Sequence, residues 1–149
     1  METLLVNDYK NIRTINLNRP AVRNAFHPDM IEELTQSFLE VQKKDELRAV
    51  HLKGEGKSFC SGADLEWMKS MARYSEKENI ADSNKLYEMF QSIVDCPVPV
   101  VTQAHGHVMG GALGILAASD IVIAQDKTQY CFSEVRLGLA PAVISSFVS

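Results

Sequence analysis

The spacing of apolar residues along the chain predicts strands that alternate with helices. Residues 3–17 contain two apolar runs, TLLV and IRTINL, joined by the polar turn NDYKN, and we expect a strand in each run. An amphipathic helix is predicted from Pro28 to about Lys44, because apolar residues recur there at three- and four-residue steps. Its apolar positions are Ile31, Leu34, Phe38 and Val41.

The rest of the chain continues the same alternation. Further strands are predicted at 49–53, 98–103 and 120–125, and a short strand or a turn at 128–132. Further helices are predicted at 64–74, at 77–95 and within the stretch 108–120. In the helix 77–95, the apolar stripe that we expect to face the core consists of Ile80, Tyr87, Phe90 and Val94. Strands alternating with helices predict an α/β fold with a largely parallel sheet, organised as one domain over residues 1–149.

The charge balance and the cysteines narrow the function classes. A net charge of -4 argues against a surface for nucleic acid or an anionic membrane, and no apolar run is long enough to cross a bilayer. The three cysteines are scattered, so they predict neither a disulfide framework nor a metal-ligand cluster. The start METLLVNDYK lacks the pattern of a signal peptide, and we therefore expect a cytoplasmic location.

Two glycine-rich loops follow predicted strands and lead into predicted helices. They are GEGKSFCSGADL at 54–65 and AHGHVMGG at 104–111, and ligands usually bind at the carboxyl ends of parallel strands. The first loop is no phosphate-binding loop, because that motif needs glycine where His51 stands. Neither a dinucleotide fingerprint nor a nucleophile elbow is present. His105 and His107 lack a third metal ligand at a suitable spacing, so we expect no metal.

The two loops suggest a pair of backbone hydrogen-bond donors. A helix that begins at Gly110-Gly111 exposes unpaired N–H groups, although glycines there also permit close helix packing. In the first loop Asp64 is expected to cap the next helix, which leaves the N–H of Ala63 free for a ligand. Two such N–H groups, one from each loop, would form an oxyanion hole.

Glu134 is the candidate for proton transfer. Its neighbours include Tyr130, Phe132 and Val135, and an apolar environment desolvates a carboxylate and favours its protonated form. The alternative is an exposed loop glutamate that pairs with Arg136.

Taken together, the stretches LNRPAVRNAF, GEGKSFCSGADL, AHGHVMGGALGILAASDIVIA and YCFSEVRLGLAPAVIS resemble the crotonase (enoyl-CoA hydratase/isomerase) family in sequence order. The resemblance implies a ββα spiral core and an acyl-CoA thioester as substrate, with coenzyme A as part of that substrate and no separate cofactor. It implies an oxyanion hole at the N–H groups of Ala63 and Gly111, and Glu134 as the catalytic acid–base. The implied substrate-binding residues are Arg23, Ala25, Ser61, Gly62, Ala63, Asp64, Leu65, Met68, Gly110, Gly111 and Glu134, with Trp67 as a further candidate for lining the pocket.

One position departs from the hydratases that use two glutamates. The other glutamate of those enzymes corresponds to Gly114 in this sequence. We expect that close packing alone does not explain why a side chain is absent at this position. A single glutamate resembles the Δ3,Δ2-enoyl-CoA isomerases, whereas FSEVRLGLAPAVIS resembles methylglutaconyl-CoA hydratases of leucine catabolism. The sequence therefore favours a hydratase of a short or branched 2-enoyl-CoA, with an isomerase as the alternative. Arg136 is a candidate partner for a distal carboxylate of the substrate, or part of a surface ion pair.

The chain is also shorter than the family members that it resembles. The resemblance implies that helices that cover the active site and build a homotrimer, or a dimer of trimers, follow the segment matched here. A non-catalytic acyl-CoA-binding fragment is therefore the alternative from another functional class.

Overall fold

Strands and helices alternate within residues 3–138 and 140–148, which are the residues that the computed structural model describes. The strands are β1 (Leu4–Tyr9), β2 (Ile12–Leu17), β3 (Ala49–Gly54), β4 (Val100–Ala104), β5 (His107–Met109), β6 (Ile121–Ala124) and β7 (Gln129–Cys131). The helices are α1 (Pro28–Val41), α2 (Leu65–Met71), α3 (Glu76–Val94), α4 (Ala112–Ala118) and α5 (Ala142–Val148). None of these helices has the length and apolar character needed to span a bilayer.

The main sheet has the order β1-β2-β3-β4-β6, in which β1 and β2 are antiparallel and all other neighbours are parallel. The prediction of a largely parallel α/β fold is therefore confirmed. In the described part of the chain β6 is an edge strand, and Ile121, Val122 and Ile123 are exposed on it.

A second, two-stranded parallel sheet joins β5 to β7. The helix predicted within the stretch 108–120 is α4, which begins at Ala112, just after the predicted start at Gly110-Gly111. Val108 and Met109, which precede it, belong to β5, a strand that we did not predict. Val108 pairs with Tyr130 of β7 and forms an isolated bridge with Cys60. These pairings are long-range, so local spacing could not reveal them.

The first helix begins where its sequence predicts and ends earlier. Pro28 occupies its first turn, and His27 caps it by accepting a hydrogen bond from the N–H of Asp29. The helix ends at Val41 rather than at Lys44. The predicted apolar positions are buried, as predicted: Ile31, Leu34, Phe38 and Val41.

The apolar stripe predicted for α3 is wrong at three of its four positions. Ile80, Tyr87 and Val94 are exposed, and only Phe90 is buried. The face that enters the core consists of Leu86, Met89, Phe90 and Ile93, at steps of three, one and three residues. This face fits the helical period as well as the predicted face does. Which of the two faces is buried depends on packing against the neighbouring helices, which the local sequence does not show.

The second helix is also shorter than predicted, ending at Met71 instead of Tyr74. The reason is local, because Ser75 and Glu78 form a capping box that starts α3 as a separate helix. The resulting α2–α3 hairpin forms one wall of the cavity described below.

Asp8 makes the stability of the fold depend on pH at the acidic end. The hydrogen bond from buried Arg13 lowers the pKa of Asp8 to about 2; burial opposes this shift, and Lys44 adds to it. Because its pKa is lowered, the Asp8 carboxylate stabilises the fold fully at a pH above 3.8, the usual pKa of an aspartate. That contribution is lost as the pH falls through about 2.

We therefore expect Asp8→Asn to flatten the pH dependence of the unfolding free energy between about pH 4 and 2, by roughly 1 kcal/mol after solvent screening. Urea unfolding measured across that range tests this expectation. Asp45→Asn, on an exposed turn, is the matched control. An equal loss of acid sensitivity in both variants would show that the Asp8–Arg13 pair is not responsible.

Candidate active site

A cavity of about 1110 Å³ lies between the two glycine-rich loops, the α2–α3 hairpin and the segment that follows β7. The structure brings ten of the eleven predicted site residues to its wall: Arg23, Ala25, Ser61, Ala63, Asp64, Leu65, Met68, Gly110, Gly111 and Glu134. Trp67 lines it as well. Gly62 is not a lining residue, and it instead holds the two loops together.

The first loop turns the N–H of Ala63 away from its neighbouring segment. Phe26 donates its N–H to the carbonyl of Gly62 at 2.7 Å and accepts from the N–H of Asp64 at 2.9 Å. In such a parallel bridge the middle residue, Ala63, directs its own N–H to the opposite side. That N–H donates to no acceptor among the described residues. It is therefore available to a ligand in the cavity.

Close backbone contact fixes the first loop against the second. Gly62 has φ +85°, and a Cβ there would lie 2.8 Å from the carbonyl oxygen of Met109. Cys60 donates its N–H to the carbonyl of His107 at 3.2 Å and accepts from the N–H of Met109 at 3.1 Å. Glycine at position 62 is thus required by both the backbone conformation and the space.

The second loop presents the N–H of Gly111 at the start of α4. The flanking groups are engaged: Gly110 donates its N–H to the carbonyl of Cys131 at 2.8 Å, and Leu113 donates to the carbonyl of Gly110 at 3.0 Å. The N–H of Gly111 donates to no acceptor among the described residues. Two unused donors from separate loops therefore line one cavity, as the two donors of an oxyanion hole do.

Glu134 lies directly beside the second loop. Its Oε1 is 3.1 Å from the position that a Cβ on Gly110 would occupy, and Gly110 has φ +53°. Its Oε2 is buried and has no hydrogen-bond partner among the described residues. A buried carboxylate oxygen without a partner is costly in a folded protein, and a ligand that donates a hydrogen bond to it recovers that cost.

The environment of Glu134 differs from the predicted one. Tyr130, Phe132 and Val135 are exposed, with Val135 at 66%, so the buried apolar surroundings that these neighbours were expected to form are not observed. The backbone of Gly110 lies beside the carboxylate, and a Cβ at that position would be 3.1 Å from both Glu134 Oε1 and Ser133 Oγ. Two predictions involve Arg136: an ion pair with Glu134, and binding of a distal carboxylate of the substrate. Both lie outside the part of the chain that the structure describes, which does not include the Arg136 side chain.

Asp64 supports the loop rather than transferring protons. It caps α2 by accepting from the N–H of Glu66 at 2.9 Å, as predicted, and it accepts from the Arg19 guanidinium at 3.0 Å. Burial raises the pKa of Asp64, but the hydrogen bonds from Arg19 and the helix N–H groups outweigh burial and lower it overall. Asp64 therefore stays ionised as a structural anchor.

The carbonyls of Arg23 and Ala25 accept hydrogen bonds from within the chain. Ser61 donates its N–H to the carbonyl of Arg23 at 3.0 Å, and Arg19 donates to the carbonyl of Ala25 at 2.6 Å. The side chain of Arg23 is exposed at the cavity wall, where a phosphate of a ligand can reach it. Arg19 was missed in the sequence analysis, since its ion pair with Asp64 spans 45 residues.

Asn24 is a second supporting residue that the sequence analysis missed. It is fully buried, and its Nδ2 donates to the carbonyls of Glu55, Ser58 and Phe59 at 2.8 to 3.1 Å. Its Oδ1 accepts from the N–H of Arg19. A polar residue inside an otherwise ordinary turn is the only sequence signal for this role.

We expect Asn24→Ala to lower the unfolding free energy by about 3 kcal/mol, because several buried carbonyls lose their donor and alanine is strained at φ +53°. Asn11→Ala is the matched control, since Asn11 also has a positive φ, 65°, but is exposed and makes one side-chain hydrogen bond. We expect the control to lose about 1 kcal/mol. Urea unfolding of both variants distinguishes the lost hydrogen bonds from backbone strain. Equal losses in the two variants would contradict the role given to Asn24.

The two histidines of the second loop make structural hydrogen bonds. His107 Nδ1 is 3.2 Å from Ser58 Oγ, and His105 Nε2 is 3.0 Å from the carbonyl of Gly56. Among the described residues, no three or more His, Cys, Asp or Glu side chains are grouped so that they could hold a metal ion. The nearby Cys60 is buried, and burial raises its pKa to about 12, so it remains a thiol.

Packing explains the missing side chain at Gly114, against our expectation. A Cβ there would lie 2.7 Å from Phe90 Cζ and 2.8 Å from Ile144 Cγ2. Phe90 is fully buried and makes an edge-to-face contact with Phe26. Gly114 therefore faces the core, and α4 approaches α3 and α5 too closely to carry a side chain at this position.

The fold is the crotonase-like α/β fold, and in this chain two unused backbone N–H groups and Glu134 line one cavity. Residues 7–149 match the model of the family described as enoyl-CoA hydratase/isomerase, and the chain belongs to that family.

Individual relatives include both hydratases and isomerases. An enoyl-CoA hydratase of Alternaria alternata is 34% identical over 134 residues, which are 90% of this chain and 43% of that protein. The mitochondrial Δ(3,5)-Δ(2,4)-dienoyl-CoA isomerase of Mus musculus is 32% identical over 142 residues, with the same two coverages of 90% and 43%. The crystal structure of an enoyl-CoA hydratase from Shewanella pealeana matches with a TM-score of 0.95 at 37% identity, covering 98% of this chain and 55% of that one. The chain thus spans about half the length of its relatives.

Proposed function

We propose that this chain carries the reacting groups of an enoyl-CoA hydratase, an enzyme that adds water to a short or branched 2-enoyl-CoA. The observation that supports the proposal most is one cavity lined by two unused N–H groups and by a carboxylate with an unpartnered buried oxygen. The substrate is an acyl-CoA thioester, and the reaction needs no separate cofactor because coenzyme A is part of that substrate.

In this mechanism the thioester carbonyl oxygen accepts hydrogen bonds from the N–H groups of Ala63 and Gly111. Both donors belong to backbone that is held in place by the contacts of Gly62 and Gly110, so they need no rearrangement as negative charge develops. Each such donor is typically worth about 3 kcal/mol of transition-state stabilisation. The enolate formed when a nucleophile adds at Cβ is the species that they stabilise.

Glu134 transfers the proton. Its carboxylate accepts a proton from water as the water oxygen bonds to Cβ, and the electrons of the double bond move onto the thioester oxygen. The protonated Glu134 then returns the proton to Cα, which restores both the carbonyl and the carboxylate. One group serves as base and then as acid, so a single carboxylate beside Gly110 suffices for the proton balance.

Arg23 is the proposed contact for the phosphates of coenzyme A. Arg23 is exposed and lines the cavity. Its carbonyl accepts a hydrogen bond from the N–H of Ser61 in the first loop. A guanidinium there binds a phosphate with charge-assisted hydrogen bonds. Coenzyme A would then lie along the Ser61–Leu65 segment, and its thioester would lie at the N–H donors of Ala63 and Gly111.

An enoyl-CoA isomerase is the second candidate, favoured by the packing at Gly114. Phe90 and Ile144 leave no room for a glutamate side chain at position 114. Glu134 is then the one carboxylate of the proposed mechanism that transfers a proton. One carboxylate can remove a proton from C2 of a 3-enoyl-CoA and return it to C4, with the oxyanion hole stabilising the dienolate between the two steps.

An absorbance assay separates the candidates. A hydratase lowers the absorbance of a conjugated 2-enoyl thioester, whereas an isomerase creates that absorbance from a 3-enoyl-CoA. Activity with the 3-enoyl substrate alone would contradict the hydratase proposal. Saturable binding without turnover of either substrate would favour the non-catalytic acyl-CoA-binding alternative. The methylglutaconyl-CoA of leucine catabolism is one branched candidate, and it differs from most others in carrying a distal carboxylate.

A further inference from the structure

The cavity has an apolar inner wall that contains one acidic side chain. The inner wall consists of residues on α2, α3 and α5: Met68, Met71, Asp82, Leu86 and Val143. Ser61, by contrast, lies in the first loop, and Arg23 lies on the neighbouring segment that Ser61 contacts through its backbone N–H. If the thioester lies at Ala63 and Gly111 and coenzyme A extends toward Arg23, the acyl chain extends toward the inner wall.

Asp82 is held in this wall by a buried aromatic residue. The indole N–H of Trp67 donates to Asp82 Oδ2 at 3.3 Å, and Trp67 is 7% exposed. Asp82 itself is half-buried, and its Oδ1 accepts no hydrogen bond from the described residues. The carboxylate therefore lies in the cavity wall and forms no ion pair with a described residue.

The charges along the cavity are unevenly neutralised. Among its described lining residues, the charged ones are Arg23, Asp64, Glu66, Asp82 and Glu134. Asp64 is paired with Arg19 at 3.0 Å and Glu66 with Lys69 at 2.6 Å. Asp82 and Glu134 have no such ion pair with a described residue. An acyl chain that starts beside Glu134 and extends along the inner wall thus meets one further carboxylate, that of Asp82.

We propose that Asp82 determines acyl-chain specificity by excluding chains that end in a carboxylate. A distal carboxylate would lose water on entering the cavity and would face a like charge, and both effects weaken its binding. The substrate is then a short or branched enoyl-CoA with an uncharged distal end. Methylglutaconyl-CoA, which carries a distal carboxylate, is the disfavoured member of the candidate set. This inference rests on the proposed function, because it takes the ligand to be an acyl-CoA.

Calorimetric binding of saturated acyl-CoA esters to the chain tests the inference without requiring turnover. The probes are 3-methylglutaryl-CoA, which ends in a carboxylate, and 3-methylhexanoyl-CoA, which is uncharged and of similar length, with coenzyme A alone as the reference. We expect the uncharged ester to bind more tightly by about tenfold, the order of effect produced by one poorly screened like charge. Asp82→Asn should reduce that ratio by about the same factor, mainly by improving the binding of 3-methylglutaryl-CoA.

Asp126→Asn, on an exposed turn outside the cavity lining, is the matched control and should leave the ratio unchanged. Tighter binding of 3-methylglutaryl-CoA to the unmodified chain would overturn the inference and would indicate a cation at the distal end, for which Arg136 is the candidate. An unchanged ratio in a folded Asp82→Asn variant would also overturn it, while the proposed function would stand. If neither ester binds more tightly than coenzyme A, the proposed function fails and this inference fails with it.

Discussion

Glu134→Gln is expected to lower kcat by about a thousandfold while acyl-CoA binding stays within a few-fold of the unmodified protein. Glutamine has nearly the same shape as glutamate, so the contact with Gly110 and the burial of the side chain persist. It cannot accept a proton from water or return one to Cα. Loss of turnover with retained binding is therefore the signature of proton transfer, rather than of a structural role.

Initial rates with a 2-enoyl-CoA and calorimetric binding of the corresponding saturated ester provide the two measurements. Glu88→Gln, the same chemical change on an exposed position of α3, is the control and should leave both values unchanged. Full activity in Glu134→Gln would show that another group carries the proton. A parallel loss of binding and turnover would instead indicate that Glu134 holds the loop in place.

Gly114→Glu is expected to lower the unfolding free energy by about 4 kcal/mol or more. The first side-chain atom would already overlap Phe90 and Ile144, and the carboxylate would be buried among them without a partner. This substitution would therefore damage the fold before it could supply a second catalytic carboxylate. Ala117→Glu, at an exposed position of the same helix, should change the unfolding free energy by no more than about 0.5 kcal/mol.

A double-mutant cycle tests whether Phe90 is the obstacle. If it is, Gly114→Ala and Phe90→Leu should be non-additive, with the pair less destabilising than the sum of the single changes by about 1 kcal/mol. Additive effects, measured by urea unfolding, would indicate that Gly114 is required for another reason. An unfolding free energy for Gly114→Glu equal to that of Ala117→Glu would contradict the packing account directly.

Much of the fold could be predicted from local pattern because most elements carry their own signals. Pro28 and the apolar steps after it predict α1, and the alternation of strands and helices predicts the parallel sheet. The predictions are wrong where contacts between segments far apart in sequence determine the local structure. Residues 108 and 109 form β5 because β7 and Cys60 pair with them, and the buried face of α3 was misplaced because two similar helical faces were available.

The candidate site divides in the same way. Glycines before predicted helices identify the loops of Ala63 and Gly111, and ten of the eleven predicted site residues meet in one cavity. Arg19 and Asn24 support the loops through contacts with Asp64, Ser58 and Phe59, which are 34 to 45 residues away in sequence, so local pattern does not reveal this role. The close approach of Phe90 to Gly114 joins two helices and was equally invisible to sequence pattern.

The edge strand β6 affects how the chain behaves while it folds. Ile121, Val122 and Ile123 are exposed, and the strand has no charged residue or proline to block pairing on its outer side. Its correct partner, β4, is parallel to it and is reached only through the crossover that contains α4, which makes this pairing slow to form. At high protein concentration a second chain competes for that edge, so the yield of soluble refolded protein should rise as the chain is diluted.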